Sequence, residues 1–153
     1  MPGTDQSQSQ TTSFLTEGGH PVPAVTADQM RKVDRLAVEA YGLGILQMME
    51  NAGRNLAQNA IAMLDASGGR ITILAGPGGN GGGGLCCARH LHNRDIPVSI
   101  VLSRRADQLG PPAQRQLETL RAAGLHPIEP QEGAVAIGRA DVVVDALIGY
   151  GLR

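Results

Sequence analysis

The sequence has 153 residues, 42% of them apolar and 18% charged, with a formal net charge of −1. That length suits one domain with a real core, and the near-neutral balance excludes recruitment to nucleic acid or to an anionic membrane by bulk electrostatics. No run approaches the roughly 20 apolar residues that a transmembrane helix needs.

The chain opens on a Gln-, Ser- and Thr-rich stretch, Met1–Thr12. It lacks a basic start followed by an apolar run, and it lacks Arg, so it reads as neither a secretory signal nor a mitochondrial presequence. Residues 1–24 are expected to be a disordered leader, and a cytoplasmic location follows by default. The folded domain is expected over 25–153. Only Phe14, Tyr41 and Tyr150 are aromatic, so its core must come from Ala, Val, Ile, Leu and Met.

Thr26 with Gln29 three residues on fits a capping box, hydroxyl to backbone amide and side-chain amide back to the cap. Met30, Val33, Ala37, Ala40 and Tyr41 follow at helical spacing, and Gly42 and Gly44 end that helix. A second helix starts near Ile45, with Ile45, Met49, Ala52, Leu56, Ala60 and Met63 on one face, and Gly68-Gly69 stops it. Glu50 and Asn51 read as a solvated part of this helix. Arg70–Ala75 then reads as a short strand buried on both faces. A glycine-rich loop, Gly76–Gly84, leads into a helix from Leu85 to Asn93. Pro97–Leu102 is a second strand. Pro111–Ala123 is helical, with Leu117, Leu120 and Ala123 inward and Gly124 as cap. Residues 131–139 allow a short helical turn, and Asp141–Ile148 is a third apolar strand.

Strands alternating with helices, each strand apolar on both faces, predict βαβ units and a parallel sheet with helices on its two faces. The fold class is α/β and Rossmann-like. Three strands are fewer than such domains usually carry, so the sequence is expected to be a C-terminally truncated piece or a short form of a larger domain. Cys86 and Cys87 are adjacent. Neighbours rarely form a disulfide and two thiols alone make no zinc site, so both read as small buried apolar side chains on a helix.

The Gly76–Gly84 loop lies at the carboxyl end of a strand, where α/β folds bind ligands. Glycines there permit positive φ and close backbone approach, and successive amides at a helix start cradle anions. There is no Lys for a Walker motif. The G-x-G-x-x-G match at Gly76, Gly78 and Gly81 is nearly automatic in so glycine-rich a run. Asp145 ends an apolar strand and emerges at the same rim, where a cation, a ribose hydroxyl or a strand-end turn would each satisfy its carboxylate. Asn80 is the side chain with polar reach inside the glycine run. It suits either a turn or an oxygen ligand to a hard cation.

Four segments taken together then carry a resemblance. They are Thr26–Met30 with Asp34-Arg35; Met49-Glu50-Asn51-Ala52-Gly53; Gly76-Pro77-Gly78, Asn80-Gly81-Gly82 and Gly84-Leu85 with Ala88-Arg89-His90-Leu91; and Val144–Leu152. In order and register they resemble the YjeF N-terminal domain family, the NAD(P)H-hydrate epimerases. The resemblance implies a homodimeric isomerase that interconverts the R and S forms of hydrated NADH and NADPH, with a bound potassium ion. By that resemblance Asn80 and Asp145 are potassium ligands, and Gly79, Asn80, Gly81, Gly82, Gly83, Gly149, Tyr150, Gly151, Leu152 and Arg153 bind the dinucleotide. The family loop carries Asn and Asp where this chain has Gly79 and Gly83, and Tyr150 replaces a Thr. The family's catalytic Asp lies in an Asp-x-Pro-Ser-Gly segment downstream of the matched blocks, so no catalytic residue is assigned up to Arg153. The alternative is a non-catalytic nucleotide-binding or interaction module of the same fold. The two bare positions, Gly79 and Gly83, favour it.

Overall fold

The computed structural model describes residues 14–22, 24–65 and 68–150. The chain divides into two compact units, residues 1–42 and 43–153. In the first unit, β1 (Phe14–Leu15) and β2 (Pro21–Val22) pair antiparallel. While residues 1–13 lie outside the described residues, residues 14–22, within the stretch 1–24 expected to be disordered, form this hairpin. Its turn is closed by Gly19 at φ +76° and by the His20 amide donating to Thr16 Oγ1 at 3.1 Å. A glycine is the residue that takes such a φ at little cost. Helix α1 (Ala27–Glu39) starts on the expected capping box. The Gln29 amide donates to Thr26 Oγ1 at 3.2 Å, and Gln29 Oε1 accepts from the Thr26 amide at 2.7 Å. The expected apolar face is less covered than its spacing implied: no residue of α1 is buried, and Val33 and Tyr41 are exposed.

The second unit is built on a three-stranded parallel sheet of β3 (Ile71–Ala75), β4 (Val98–Leu102) and β5 (Val142–Ala146), in the order β4-β3-β5. The register runs Ala75 beside Leu102 on one side and beside Ala146 on the other. All three strands therefore end at one rim. Helices α2 (Ile45–Ala62), α3 (Gly79–His92) and α4 (Pro111–Ala122) pack with α3 in the middle. The short α5 (Gly133–Gly138) lies on the opposite face of the sheet, where its Ala136 carbonyl accepts from the buried Thr72 hydroxyl at 3.0 Å. Helices thus lie on both faces, as the alternation of strands and helices predicts.

The core joins Ile71, Ile73, Val142 and Val144 from the sheet to Leu85, Leu91, Leu117 and Leu120 from the helices, with Ile100 of β4. Aliphatic side chains fill it without one aromatic ring, as the composition required. Three expectations need correction. Ala123, expected inward, is exposed just past α4, whose buried residues are Ala113, Gln116, Leu117 and Leu120. Burial on both faces holds for central β3, but β5, at the edge of the sheet, alternates, with Val143 and Asp145 exposed. The inward face of α2 is Met49, Gly53, Ala57 and Ala60, whereas Ile45, Ala52 and Met63 are exposed. The difference is a rotation about the helix axis. Small residues, Gly53 among them, let α2 approach α3 closely beside the buried Met49.

Candidate functional site

The glycine run is mostly helix, not loop. Helix α3 starts at Gly79, with Gly78 as its N-cap, rather than at Leu85. Intrinsic propensity argues against this, since each glycine costs about 1 kcal/mol relative to Ala in a helix interior. Packing overrides it. A Cβ on Gly81 would overlap the Gly76 carbonyl oxygen, and one on Gly76 would overlap the Leu147 carbonyl oxygen. The strand end, the turn and the segment after β5 are therefore in backbone-to-backbone contact. No glycine from Gly76 to Gly84 has a positive φ. Positive φ, expected as one use of these glycines, is not used; close approach is.

The first helical bond runs from the Gly82 amide to the Gly78 carbonyl at 3.0 Å. The amides of Gly79, Asn80 and Gly81 precede it, so they point out of the helix end with no carbonyl of the helix to meet. They carry the positive end of the helix dipole, at the carboxyl rim of the sheet. Backbone amides gathered this way are suited to a phosphate or pyrophosphate.

Around this turn the expected residues fall into distinct places. Gly79 and Asn80 are exposed, Gly81 and Gly82 buried, and Gly83 half-buried. Gly83 faces open space, with nothing within 4 Å of a Cβ built there, and Gly79 meets only the Met49 methyl at 3.9 Å. The two positions that depart from the family loop are therefore ones with room for a side chain. Asn80 Nδ2 donates to the Ile148 carbonyl at 3.1 Å, and a Cβ on Gly149 would lie 3.3 Å from Asn80 Cβ. The structure thus brings Asn80 to the segment after β5. Tyr150 is partly exposed there, and Gly151, Leu152 and Arg153 lie outside the described residues.

Asp145 is exposed, and its Oδ1 accepts from the Leu147 amide at 2.9 Å. That is the strand-end turn weighed from sequence. It uses one carboxylate oxygen. No hydrogen bond joins Asp145 to Asn80 among the described residues. With its amide nitrogen on Ile148, Asn80 leaves its oxygen for another partner. The Asn80 amide oxygen and the second Asp145 carboxylate oxygen are each donors of the kind a hard cation takes.

A second polar cluster joins α2 to α3 and corrects the reading of Glu50 as solvated. Glu50 Oε2 accepts from Arg89 and from the Cys86 thiol, the latter at 3.4 Å, and Glu50 Oε1 lies 2.8 Å from His90 Nε2. Asn51 is exposed as expected. Partial burial pushes the Glu50 carboxyl up, but the hydrogen bonds from Arg89 and Cys86 and the charges of Arg89 and His90 outweigh it and hold the group below its usual range. Donor atoms of Glu50, Cys86 and His90 lie within 4.8 Å of one another, close enough to surround an ion. The Arg89 guanidinium already neutralises Glu50, and a divalent cation would have to displace it. We read the cluster as an ion pair clamping the two helices. Sequence gave no signal for it, because the partners are separated by 39 and 40 positions.

Both thiols are fully buried, as expected. Burial, with the nearby Glu50 charge, pushes Cys86 up to about 11, and burial with the Cys86 charge pushes Cys87 up to about 12, from 9.0. A folded-state value above the unfolded one contributes stability below the unfolded value that is lost as pH rises through the folded one. Stability is therefore expected to fall from about pH 9 upward. Urea melts at about pH 8 and pH 10.5 check this, and a Cys86→Ala, Cys87→Ala double variant should show a smaller fall. Native protein should also leave both thiols unmodified by Ellman's reagent at neutral pH.

The family described as "YjeF-related protein N-terminus" matches residues 45–153. The chain is 47% identical over 141 residues to an NAD(P)H-hydrate epimerase of Dehalogenimonas lykanthroporepellens, covering 91% of this chain and 56% of that protein. It is 36% identical over 135 residues to one of Rhodopirellula baltica, covering 86% and 54%. It is also 41% identical over 143 residues to a "Bifunctional NAD(P)H-hydrate repair enzyme Nnr" of Hyperthermus butylicus, covering 88% and 26%. The chain spans about half the length of the epimerase relatives it matches. In shape it is similar to the crystal structure of yeast ynu0, YNL200c, with a TM-score of 0.74 and 24% identity over 86% of this chain and 59% of that one, a likeness of fold alone. On the extent of these matches, the chain belongs to the YjeF-related N-terminal domain family.

Proposed function

We propose that this protein is an NAD(P)H-hydrate epimerase, an isomerase that interconverts the R and S forms of hydrated NADH and NADPH in nicotinamide nucleotide repair. The observation that carries the reading is the first turn of α3. Among the described residues its first amides meet no acceptor, and they lie at the carboxyl rim of the sheet, against the segment that follows β5. The names of the relatives supply the substrate. In this reading the Gly79–Gly83 backbone and the segment 149–153 bind the dinucleotide, with its pyrophosphate on the helix end. Asn80 and Asp145 hold a potassium ion, whose charge would offset that of the phosphates. The enzyme acts as a homodimer on a small-molecule dinucleotide, without nucleic acid or membrane. No helix among the described residues is long and apolar enough to cross a membrane.

Moving the C6 centre needs a group to shuttle a proton, a contribution of about 10²–10⁴-fold in rate. No side chain up to Arg153 is assigned that role. The test is conversion of isolated S-form hydrated NADPH into a mixture of both forms, with and without potassium. Racemisation that rises with potassium supports the reading. Tight dinucleotide binding without racemisation favours the second reading, a non-catalytic nucleotide-binding module, to which the bare Gly79 and Gly83 positions point.

Two variants probe the site. Asp145→Ala removes one turn hydrogen bond, about 1 kcal/mol. It should lower Tm by no more than about 4 °C while weakening potassium and dinucleotide binding. Global unfolding would make Asp145 structural. Gly83→Asp fills open space and adds an acid in the early turns of the helix, so it should fold normally and tighten binding of hydrated NADPH. Unchanged affinity would remove position 83 from the ligand contact.

A further inference from the structure

A cleft of about 870 Å³ opens at the carboxyl end of β4, beside the glycine turn, with Ser103, Arg104, Arg105, Arg121 and His126 on its walls. Two bonds fix its place. The Ser103 amide donates to the Ala75 carbonyl at 2.9 Å, and the Gly110 amide donates to the Pro77 carbonyl at 2.8 Å. The segment between those bonds therefore abuts the turn that precedes α3. The unit β3–α3–β4 is a parallel βαβ unit with its glycine turn after the first strand.

In such units a pyrophosphate on the glycine turn directs the adenosine ribose to the end of the second strand. An acidic residue there takes the ribose 2′-hydroxyl, whereas an arginine accommodates a 2′-phosphate. Here β4 ends at Leu102, and Ser103-Arg104-Arg105 follow, with no acid among them. The cleft holds two carboxylates, Asp107 and Glu129. Asp107 is engaged by Arg105 at 3.1 and 3.3 Å. Arg104 and Arg121 pair with no carboxylate among the described residues. The cleft therefore keeps uncompensated guanidinium charge where the ribose edge would lie, and guanidinium geometry matches phosphate oxygens in pairs.

We propose that Ser103 and Arg104 form a subsite for the 2′-phosphate of the adenosine ribose, so that the protein selects the hydrated NADP-type dinucleotide over the NAD-type one. The proposal rests on the dinucleotide reading above and adds the specificity determinant to it. An attractive charge-assisted contact present for one ligand and absent for the other is worth about ten-fold or more in affinity.

The test is calorimetric titration of the full chain and of Arg104→Glu with hydrated NADPH, hydrated NADH, 2′-AMP and 5′-AMP. The expected result is a ten-fold or greater preference of the native protein for hydrated NADPH over hydrated NADH, falling to about one or below in Arg104→Glu. Equal affinity of the native protein for both dinucleotides would overturn the subsite, as would a ratio unmoved by the substitution. If neither dinucleotide binds, the epimerase reading fails, and the nucleotides decide the subsite on their own. It stands if 2′-AMP binds the native protein better than 5′-AMP does and Arg104→Glu removes the difference. It falls if the two nucleotides bind alike or neither binds.

Discussion

Gly81→Ala should unfold or severely weaken the protein, while Gly83→Ala, two residues along the same helix, should strengthen it. Alanine is the better helix former at both positions, by about 1 kcal/mol. Propensity alone therefore predicts that both substitutions stabilise. The environments differ. Gly81 is buried, and the position a methyl would take overlaps the Gly76 carbonyl oxygen and comes within 2.8 Å of the Gly76 nitrogen. Neither atom is the end of a flexible side chain. The helix start must move away from the strand end, which separates the turn from the Leu147 carbonyl as well. Overpacking against fixed atoms costs about 1–3 kcal/mol, occasionally more, and a backbone clash belongs at or beyond the top of that range. Gly83 meets nothing within 4 Å. Its substitution keeps the propensity gain of about 0.5–1 kcal/mol. Denaturant midpoints of the two variants check this. If Gly81→Ala were as stable as the native protein, the strand end and the helix start would not be in contact.

Removing Glu50 should cost more than its half-exposed position suggests. Glu50→Ala leaves the Arg89 guanidinium, whose side chain is 18% exposed, against the two helices with no counter-charge. Arg89 Nε already has no hydrogen-bond partner among the described residues. Breaking a buried pair by removing one partner costs about 3–5 kcal/mol, and exposure of Glu50 to screening water lowers this to about 1–3 kcal/mol. Removing both partners, Glu50→Ala with Arg89→Ala, should cost less than the sum of the single losses, which a double-mutant cycle reads directly. The pH dependence follows in sign. A carboxyl held below its unfolded value stabilises the protein above that value and loses the contribution as pH falls through the folded one. The acid limb of the native stability profile should therefore be steeper than that of Glu50→Gln. Identical profiles would mean that the pair is broken in solution.

Much of this arrangement was legible in the chain. Short β-branched apolar runs locate the three strands of the parallel sheet, the first of them ending at Gly76. The Thr26–Gln29 capping box locates a helix start to the residue, and the adjacent Cys86 and Cys87 read as buried, as they are. The failures share a cause. The glycine run was read as loop because propensity is a property of single residues, whereas the helix there depends on contacts with Gly76 and Leu147 from distant segments. Helical spacing places Met49 and Ala60 on the inward face of α2 but misses Gly53 and Ala57, because a close helix crossing is made by the smallest residues. Glu50 looked solvated because its partners are on another helix. At the candidate site, the rim shared by the glycine turn and the end of β5 was foreseeable from parallel strand order. The bond from Asn80 to Ile148, and Asp145 closing its own turn, depend on side-chain torsions that no spacing encodes.

In the proposed function the amides at the start of α3 receive a dinucleotide's phosphates. Amide chemical shifts of the ¹⁵N-labelled full chain during titration with hydrated NADPH measure this most directly. The largest shifts are expected at Gly79, Asn80 and Gly81, with further movement at Ile148 and Gly149. Saturable binding that leaves those amides unmoved, or no saturable shift anywhere, would contradict it.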